Sequence, residues 1–157
     1  MPDPVAKAPA ATSPCTCLKV RSLARRVTQL YDDTLAASGL RITQYGLIGH
    51  ARRPRGGTPP TVSELAALLH ADRTTLTRNL RPLIAAGLLR LDAGEDARSK
   101  AVVVTAAGEA AYRDARELWK RAQARVRSIG GADEVAHLES SIDRLLRRLE
   151  DPATAGV

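Results

Sequence analysis

Basic and hydroxyl-bearing side chains recur at helical spacing shortly before the middle of the chain. A guanidinium can hydrogen-bond a guanine edge at two positions, and threonine offers a hydroxyl and a methyl group to bases and phosphates. We therefore predict a surface that contacts double-stranded DNA through Arg73, Thr74, Thr75, Thr77 and Arg78. Arg81 lies on the same predicted face, which has no acidic residue after Asp72. The alternative is a solvated helix face on which these residues only keep the surface polar.

Two short helices are predicted to position this face. Thr61, followed three residues later by Glu64, forms a capping box ahead of an apolar stripe (Val62, Leu65, Ala66, Leu69). Asp72 is suited to cap a second helix, whose inward face is Leu76, Leu80, Leu83 and Ile84. The short connection and the basic second helix predict a helix-turn-helix with its recognition helix. Pro82 is expected to bend that helix only beyond its first turns.

A β-hairpin is predicted directly after the recognition helix. Strands are expected at 88–91 and 101–105, joined by the polar segment 92–100. Arg98 and Lys100 lie near its tip, where positive charge can reach a minor groove or a phosphate. A lone hairpin is marginally stable, so this wing must pack on the helices before it.

Two cysteines are predicted at the start of the first helix, which should span about 15–37 with Ser13 as its cap and Pro14 at its first position. Amide donors and nearby basic residues favour the reactive thiolate of Cys15 and Cys17 there. Two residues apart on a helix, these side chains point away from each other. A disulfide would therefore join two molecules or require local unwinding. Alternatively, both cysteines are inert.

Length and composition bound the remaining possibilities. The 157 residues form one domain at 15–150 with flexible tails at 1–14 and 151–157, and we expect a winged helix-turn-helix at about 43–105. The formal net charge of +7 suits a polyanionic partner. No segment has the length and hydropathy of a membrane span, and no signal peptide begins the chain, so we expect a cytoplasmic protein. His50, His70 and His137 are scattered, and no catalytic motif appears, which predicts no metal, no cofactor and no enzyme.

The flanking helices are predicted to form a dimerisation layer from about 15–37 and 106–150. The last helix carries an apolar stripe too extensive to leave exposed in a monomer: Val135, Leu138, Ile142, Leu145, Leu146 and Leu149. We therefore expect a homodimer, mainly α-helical with a small β wing. An intramolecular three-helix cap is the alternative.

The segment DRTTLTRNLRPLIAAGLLRLDAGEDARSKAVVVTAAG resembles the winged helix-turn-helix core of the MarR (multiple antibiotic resistance regulator) family. The most specific part is Asp96 and Arg98, followed by a valine-rich strand, Thr105 and Gly108. The resemblance covers about residues 17–150. It implies a homodimeric DNA-binding regulator, most often a repressor, with the recognition helix in the major groove and the wing arginine in the minor groove.

The cysteines add a similarity to the oxidation-sensing branch of that family. By that resemblance Cys17 is the sensing cysteine and Tyr31 of the other subunit is its partner; on one straight helix the two would lie some 21 Å apart. The second tyrosine expected from the resemblance falls on Ile42, with Tyr45 three residues later. The alternative effector is a small aromatic or phenolic ligand between the dimerisation layer and the winged core, near Tyr31, Tyr45, His50 and Tyr112.

Overall fold

The computed structural model describes residues 14–53, 57–94 and 99–150. These contain six α-helices and one hairpin: α1 (Thr16–Leu35), α2 (Ile42–Ala51), α3 (Val62–Leu68), α4 (Arg73–Ala85), β1 (Leu89–Ala93), β2 (Lys100–Val104), α5 (Ala106–Gly130) and α6 (Ala132–Glu150). The mainly α fold with a β wing is as predicted. The tails, Ser13 and the hairpin tip with Asp96 and Arg98 lie outside the described residues.

The first helix begins later than predicted. Cys15 is the N-cap, with φ −73° and ψ 117°, and its side chain makes no capping hydrogen bond. Pro14 therefore precedes the helix, and its predicted place at the first helical position is wrong. At the other end, a 3-10 turn (Ala36–Ser38) leads to Gly39, whose N–H donates to the Ala36 carbonyl at 3.1 Å.

The sequence also predicts that Thr43 caps a second helix at 44–51. This prediction is wrong, because the helix begins earlier and is capped from another element. The carboxylate of Asp32 on α1 accepts a hydrogen bond from the N–H of Ile42 at 2.8 Å. Gln44 accepts one from the N–H of Arg41 at 2.9 Å. Two of the backbone donors at the helix start are thereby satisfied, and the helix begins at Ile42.

The wing pairs β1 with β2 antiparallel, with Leu89 opposite Val104 and Ala93 opposite Lys100. Compared with the prediction, β1 begins one residue later and ends two residues later, and β2 begins and ends one residue earlier. Leu88 and Thr105 are not part of the strands because they have other partners. The N–H of Leu88 donates to the Leu83 carbonyl at the end of α4, and Thr105 caps α5. The N–H of Val102 donates to the Pro60 carbonyl at 2.8 Å, which attaches the wing to the segment before α3.

The core lies between the end of α1, α2, the helix-turn-helix, the wing and α5. Its fully buried side chains include Leu35, Ile48, Leu65, Leu76, Leu80, Leu83, Leu89 and Val102. The first half of α1 and most of α6 are exposed, large apolar side chains included. Within the described ranges, no helix combines the length and the apolar character needed to cross a bilayer.

Candidate nucleic-acid interface

The start of the recognition helix α4 is fixed by its cap. The Asp72 carboxylate accepts hydrogen bonds from the N–H of Thr75 at 2.8 Å and from its hydroxyl at 2.6 Å. The hydrogen bond from the Thr75 hydroxyl, with help from backbone donors, lowers the pKa of Asp72. The preceding helix α3 has the predicted capping box, since Thr61 N–H donates to Glu64 at 2.7 Å and Glu64 N–H donates to the Thr61 hydroxyl at 3.2 Å.

The turn between the two helices is built around His70. This residue has φ +49°, in the left-handed region that most side chains avoid. Its N–H donates to the Ala67 carbonyl at 3.2 Å, and the N–H of Ala71 donates to the Ala66 carbonyl at 2.9 Å. These are the two hydrogen bonds of a Schellman motif, in which glycine usually takes the left-handed position. The imidazole Nδ1 lies 2.9 Å from the Glu150 carboxylate at the end of α6.

The outer face of α4 presents most of the predicted DNA-contacting side chains together. A hollow of about 460 Å³ is lined by Arg73, Thr74, Thr77, Arg78 and Arg81. Arg81 belongs to this surface, as its predicted place on the same helix face indicates, although it was not named among the residues expected to contact DNA. Among the described residues, no carboxylate pairs with any of these three arginines.

Two of the predicted threonines use their hydroxyl protons inside the helix. Thr75 donates to Asp72, as described above, and Thr77 donates to the Arg73 carbonyl at 2.8 Å. What they can offer a ligand is therefore a methyl group and an oxygen lone pair. On the wing, Lys100 is exposed at the start of β2.

Both cysteines are exposed at the start of α1. Cys17 is the second residue of the helix and lies two residues after Cys15, which occupies the cap position. Tyr31, by contrast, is 9% exposed and packs in the core of its own chain. Burial and the nearby Glu139 carboxylate raise the pKa of Tyr31, while Arg127 opposes them. Contact between the Tyr31 hydroxyl and a cysteine of another subunit stays a prediction.

The structure brings Tyr45 and Tyr112 of the predicted ligand pocket together and places His50 at a separate hollow. Tyr45 and Tyr112 stack directly, with ring centroids 4.4 Å apart and planes within 6°. Burial and a hydrogen bond with Tyr112 raise the pKa of Tyr45. His50 faces another hollow, of about 60 Å³, beside Arg53, and burial followed by the charge of Arg53 lowers the pKa of His50.

The sequence analysis did not predict that Trp119 and Arg52 also pack against these two tyrosines. Trp119 lies 6.0 Å from Tyr45, between ring centroids, and the Arg52 guanidinium carbon lies 4.3 Å from the centroid of Tyr112. The spacing of Tyr112 and Trp119, two turns apart on α5, was the only signal in the sequence. Within the described residues, no three His, Cys, Asp or Glu side chains gather as metal ligands would.

Comparisons with known proteins connect this fold to transcriptional regulators. No family model matches the chain, and no curated protein matches it by sequence. Among solved structures, the Mycobacterium tuberculosis transcriptional regulator MosR in complex with DNA is 38% identical, with a TM-score of 0.68; the match covers 83% of this chain and 98% of MosR.

Two more distant structures share the fold. Apo MarR from Escherichia coli is 22% identical with a TM-score of 0.66, over 86% of this chain and 99% of MarR. The Staphylococcus aureus MepR–DNA complex is 17% identical with a TM-score of 0.71, over 86% of this chain and 98% of MepR. The extent of the MosR match and the shared architecture show that the chain belongs to the MarR family of transcriptional regulators and is not an enzyme.

Proposed function

We propose that the protein is a homodimeric repressor that binds a pseudo-palindromic operator and releases it when Cys17 is oxidised. The observation that carries the DNA-binding part is the exposed face of α4, with Arg73, Arg78 and Arg81 around one hollow and no described carboxylate paired with them. A helix of 13 residues is about 20 Å long and fits the major groove. The DNA complex of MosR, at 38% identity, supports the same assignment.

The wing is proposed to contact DNA beside the recognition helix. Lys100 is exposed on β2, and Arg98 precedes it by two residues in the sequence. By the family resemblance, Arg98 contacts DNA in the minor groove, where a narrow A·T-rich segment attracts a guanidinium. Lys100 is proposed to bind the backbone phosphates as a point charge.

The dimer is proposed to form through α1, α5 and α6. A hollow of about 450 Å³ between these helices is lined mainly by apolar side chains, among them Leu23, Val27, Val126, Ile129 and Leu138. Ile129 is 70% exposed in the single chain, and Leu149 near the end of α6 is 69% exposed. Covering these side chains with a second copy removes apolar area from water, which favours association.

Oxidation is proposed to begin at the exposed Cys17. Its thiolate attacks a hydroperoxide ROOH, which becomes the alcohol ROH, and the sulfur becomes a sulfenic acid. A second thiol, that of Cys15 in either subunit, then displaces water from the sulfenic acid and forms a disulfide. Because Cys15 is the cap of α1 and not part of a helical turn, a disulfide within one chain requires rearrangement of the first turn only.

A small phenolic ligand is the second candidate effector. A ligand bound between Tyr45 and Tyr112 would have to separate two rings that are already in van der Waals contact. The close contact therefore favours the cysteine mechanism over this one.

A DNA mobility shift tests the proposal. The probe is a DNA duplex selected from a randomised library by the reduced protein. Wild type, Cys17→Ser and Cys15→Ser are each assayed in the reduced state, after treatment with cumene hydroperoxide, and again after addition of excess thiol. We expect wild type to lose the duplex on oxidation and regain it with thiol, and Cys17→Ser to ignore peroxide. Binding by wild type that ignores peroxide would reject the thiol switch, and release by a phenol would favour the second candidate. Failure to select any sequence would reject operator binding.

A further inference from the structure

The start of α5 is attached to the short segment that joins the recognition helix to β1. The N–H of Thr105 donates to the Leu88 carbonyl at 3.1 Å, and its hydroxyl donates to the Gly87 carbonyl at 2.6 Å. A Cβ on Gly108 would lie 2.1 Å from the Leu88 carbonyl oxygen, so the two backbones are in direct contact. This contact fixes where α5 starts. A contact at one place does not fix the direction in which a helix leaves it.

A second contact joins the same part of α5 to the end of α2. Arg52 Nε donates to Glu109 Oε2 at 2.7 Å, and the guanidinium lies over the ring of Tyr112. A Cβ on Gly49 would be 3.0 Å from Cε2 of Tyr112, which shows how closely the helices approach. Glu109 and Tyr112 are one turn apart on α5. The cation between them therefore restrains both the position and the tilt of that helix.

We propose that Arg52 and Glu109 are positioning residues for operator recognition. Their contact sets the angle between α5, which carries the dimer surface, and the winged helix-turn-helix core. In a dimer this angle determines the distance and relative rotation of the two α4 helices. The inference rests on the proposed function, because it requires a dimer on two half-sites. Neither residue lies on the α4 face assigned to DNA.

The Arg52–Glu109 pair is partly exposed to solvent, so its main effect is expected on helix orientation and not on stability. The side chains of Arg52 and Glu109 are 31% and 36% exposed, so water and salt screen their attraction. Removing the pair is expected to change overall stability little. Its directional contacts, a charged hydrogen bond and a cation over an aromatic ring, still restrain orientation.

The spacing between half-sites is the direct measure of that orientation. One inserted base pair moves the second half-site by about 3.4 Å and rotates it by about 34–36° about the DNA axis. Wild type, Glu109→Gln and Arg52→Lys are compared on the duplex selected by wild type, with base pairs inserted or removed singly at its centre. Glu117→Gln is the matched control: its partner Lys120 also lies at 2.7 Å, but on the same helix, so no elements are joined.

We expect wild type and Glu117→Gln to lose affinity about tenfold or more for each change in spacing. Glu109→Gln and Arg52→Lys should bind the best duplex several-fold more weakly than wild type. Each change in spacing should lower their affinity only about threefold, because a more flexible connection between α2 and α5 lets the two α4 helices adapt at a smaller free-energy cost. The lysine keeps the charge but lacks the planar guanidinium.

The inference is overturned if both variants keep the wild-type spacing profile, or if they lose the same factor at every spacing. If Glu109→Gln does not fold, the profile of Arg52→Lys decides alone. Wild-type protein that selects no sequence with two half-sites would reject the proposed function itself, which is a different outcome.

Discussion

Arg78 is the single residue on which sequence-specific recognition should depend most. It lies in the middle of the exposed α4 face, four residues beyond Thr74 and three before Arg81. We expect Arg78→Ala to reduce discrimination between the selected duplex and its single-base variants by roughly 1–3 kcal/mol, since a bidentate contact to one base is lost. Fluorescence anisotropy on matched duplexes measures this.

Arg121→Ala is the control for charge, because it removes an exposed arginine from α5 and not from α4. An equal loss for Arg78→Ala on selected and random DNA would show that Arg78 binds phosphate and reads no base.

His50 should make stability depend on pH near neutrality. Burial and Arg53 lower its folded-state pKa, whereas the unfolded-state value stays near 6.5. Below pH 6.5 the unfolded state takes up the proton first, so the free energy of unfolding falls until the pH drops below the folded-state pKa. Urea unfolding on either side of pH 6.5 should therefore show less pH dependence in His50→Gln than in wild type. Equal dependence in both proteins would contradict the lowered pKa.

The grouping of functional side chains was predictable from sequence where all of them lie on one helix. Arg73, Thr74, Thr77 and Arg78 share a face because of helical periodicity alone, and the structure places them around one hollow. The stacking of Tyr45 on Tyr112 was not predictable. It depends on how α2 and α5 approach, and no periodicity within either helix contains that information.

At the scale of elements, the junction of the wing with α5 tolerates no side chain at Gly108. The added methyl of Gly108→Ala would lie 2.1 Å from the Leu88 carbonyl, and the backbone is what must move. We expect a loss of roughly 1–3 kcal/mol in the free energy of unfolding, measured with urea.

Gly46→Ala is the matched comparison, since a Cβ there meets nothing within 4 Å inside α2. That variant should gain roughly 0.5–1 kcal/mol from helix propensity. A similar gain for Gly108→Ala would contradict the close contact.

The helix-turn-helix connection carries a strain that glycine would relieve. The left-handed conformation costs an ordinary residue roughly 1–2 kcal/mol, and glycine loses roughly 0.5–1 kcal/mol through chain entropy. His70→Gly should therefore raise the free energy of unfolding by about 0.5–1 kcal/mol, even though it removes the exposed contact with Glu150. His70→Ala keeps the unfavourable backbone and should not gain. A loss in His70→Gly would show that the contact with α6 outweighs the strain.

Helix starts show why some elements were predictable and others not. Thr61, Asp72 and Thr105 each cap the helix that follows them directly, so local sequence was sufficient. The start of α2 depends on Asp32, which lies ten residues earlier on α1. Thr43 was a reasonable local candidate for the cap, but the Asp32 carboxylate accepts the hydrogen bond from the N–H of Ile42, one residue before Thr43.

At the scale of the whole molecule, the chain divides into a closed core and an open layer. The winged part buries Leu65, Leu76, Leu80, Leu83 and Leu89 within one chain. By contrast, α6 leaves its apolar side chains between 38% and 69% exposed: Leu138, Ile142, Leu145, Leu146 and Leu149. The apolar stripe of α6 was predictable from sequence by its period. Which surface covers it was not, because a helix face does not specify its partner.

The exposed stripe of α6 leads to a prediction about assembly. Ile142 and Leu145 are 45% and 48% exposed, and burying such a side chain is worth about 1.5–3 kcal/mol at most. Replacing both by glutamate should raise the dimer dissociation constant at least about a hundredfold, measured by analytical ultracentrifugation. The control is Ser140→Glu on the opposite side of α6.

The monomeric variant should bind a two-half-site duplex no better than an isolated half-site, since the linkage between the recognition helices is gone. If the double variant stays dimeric, α6 is not the interface, and a contact within the single chain must account for its apolar stripe.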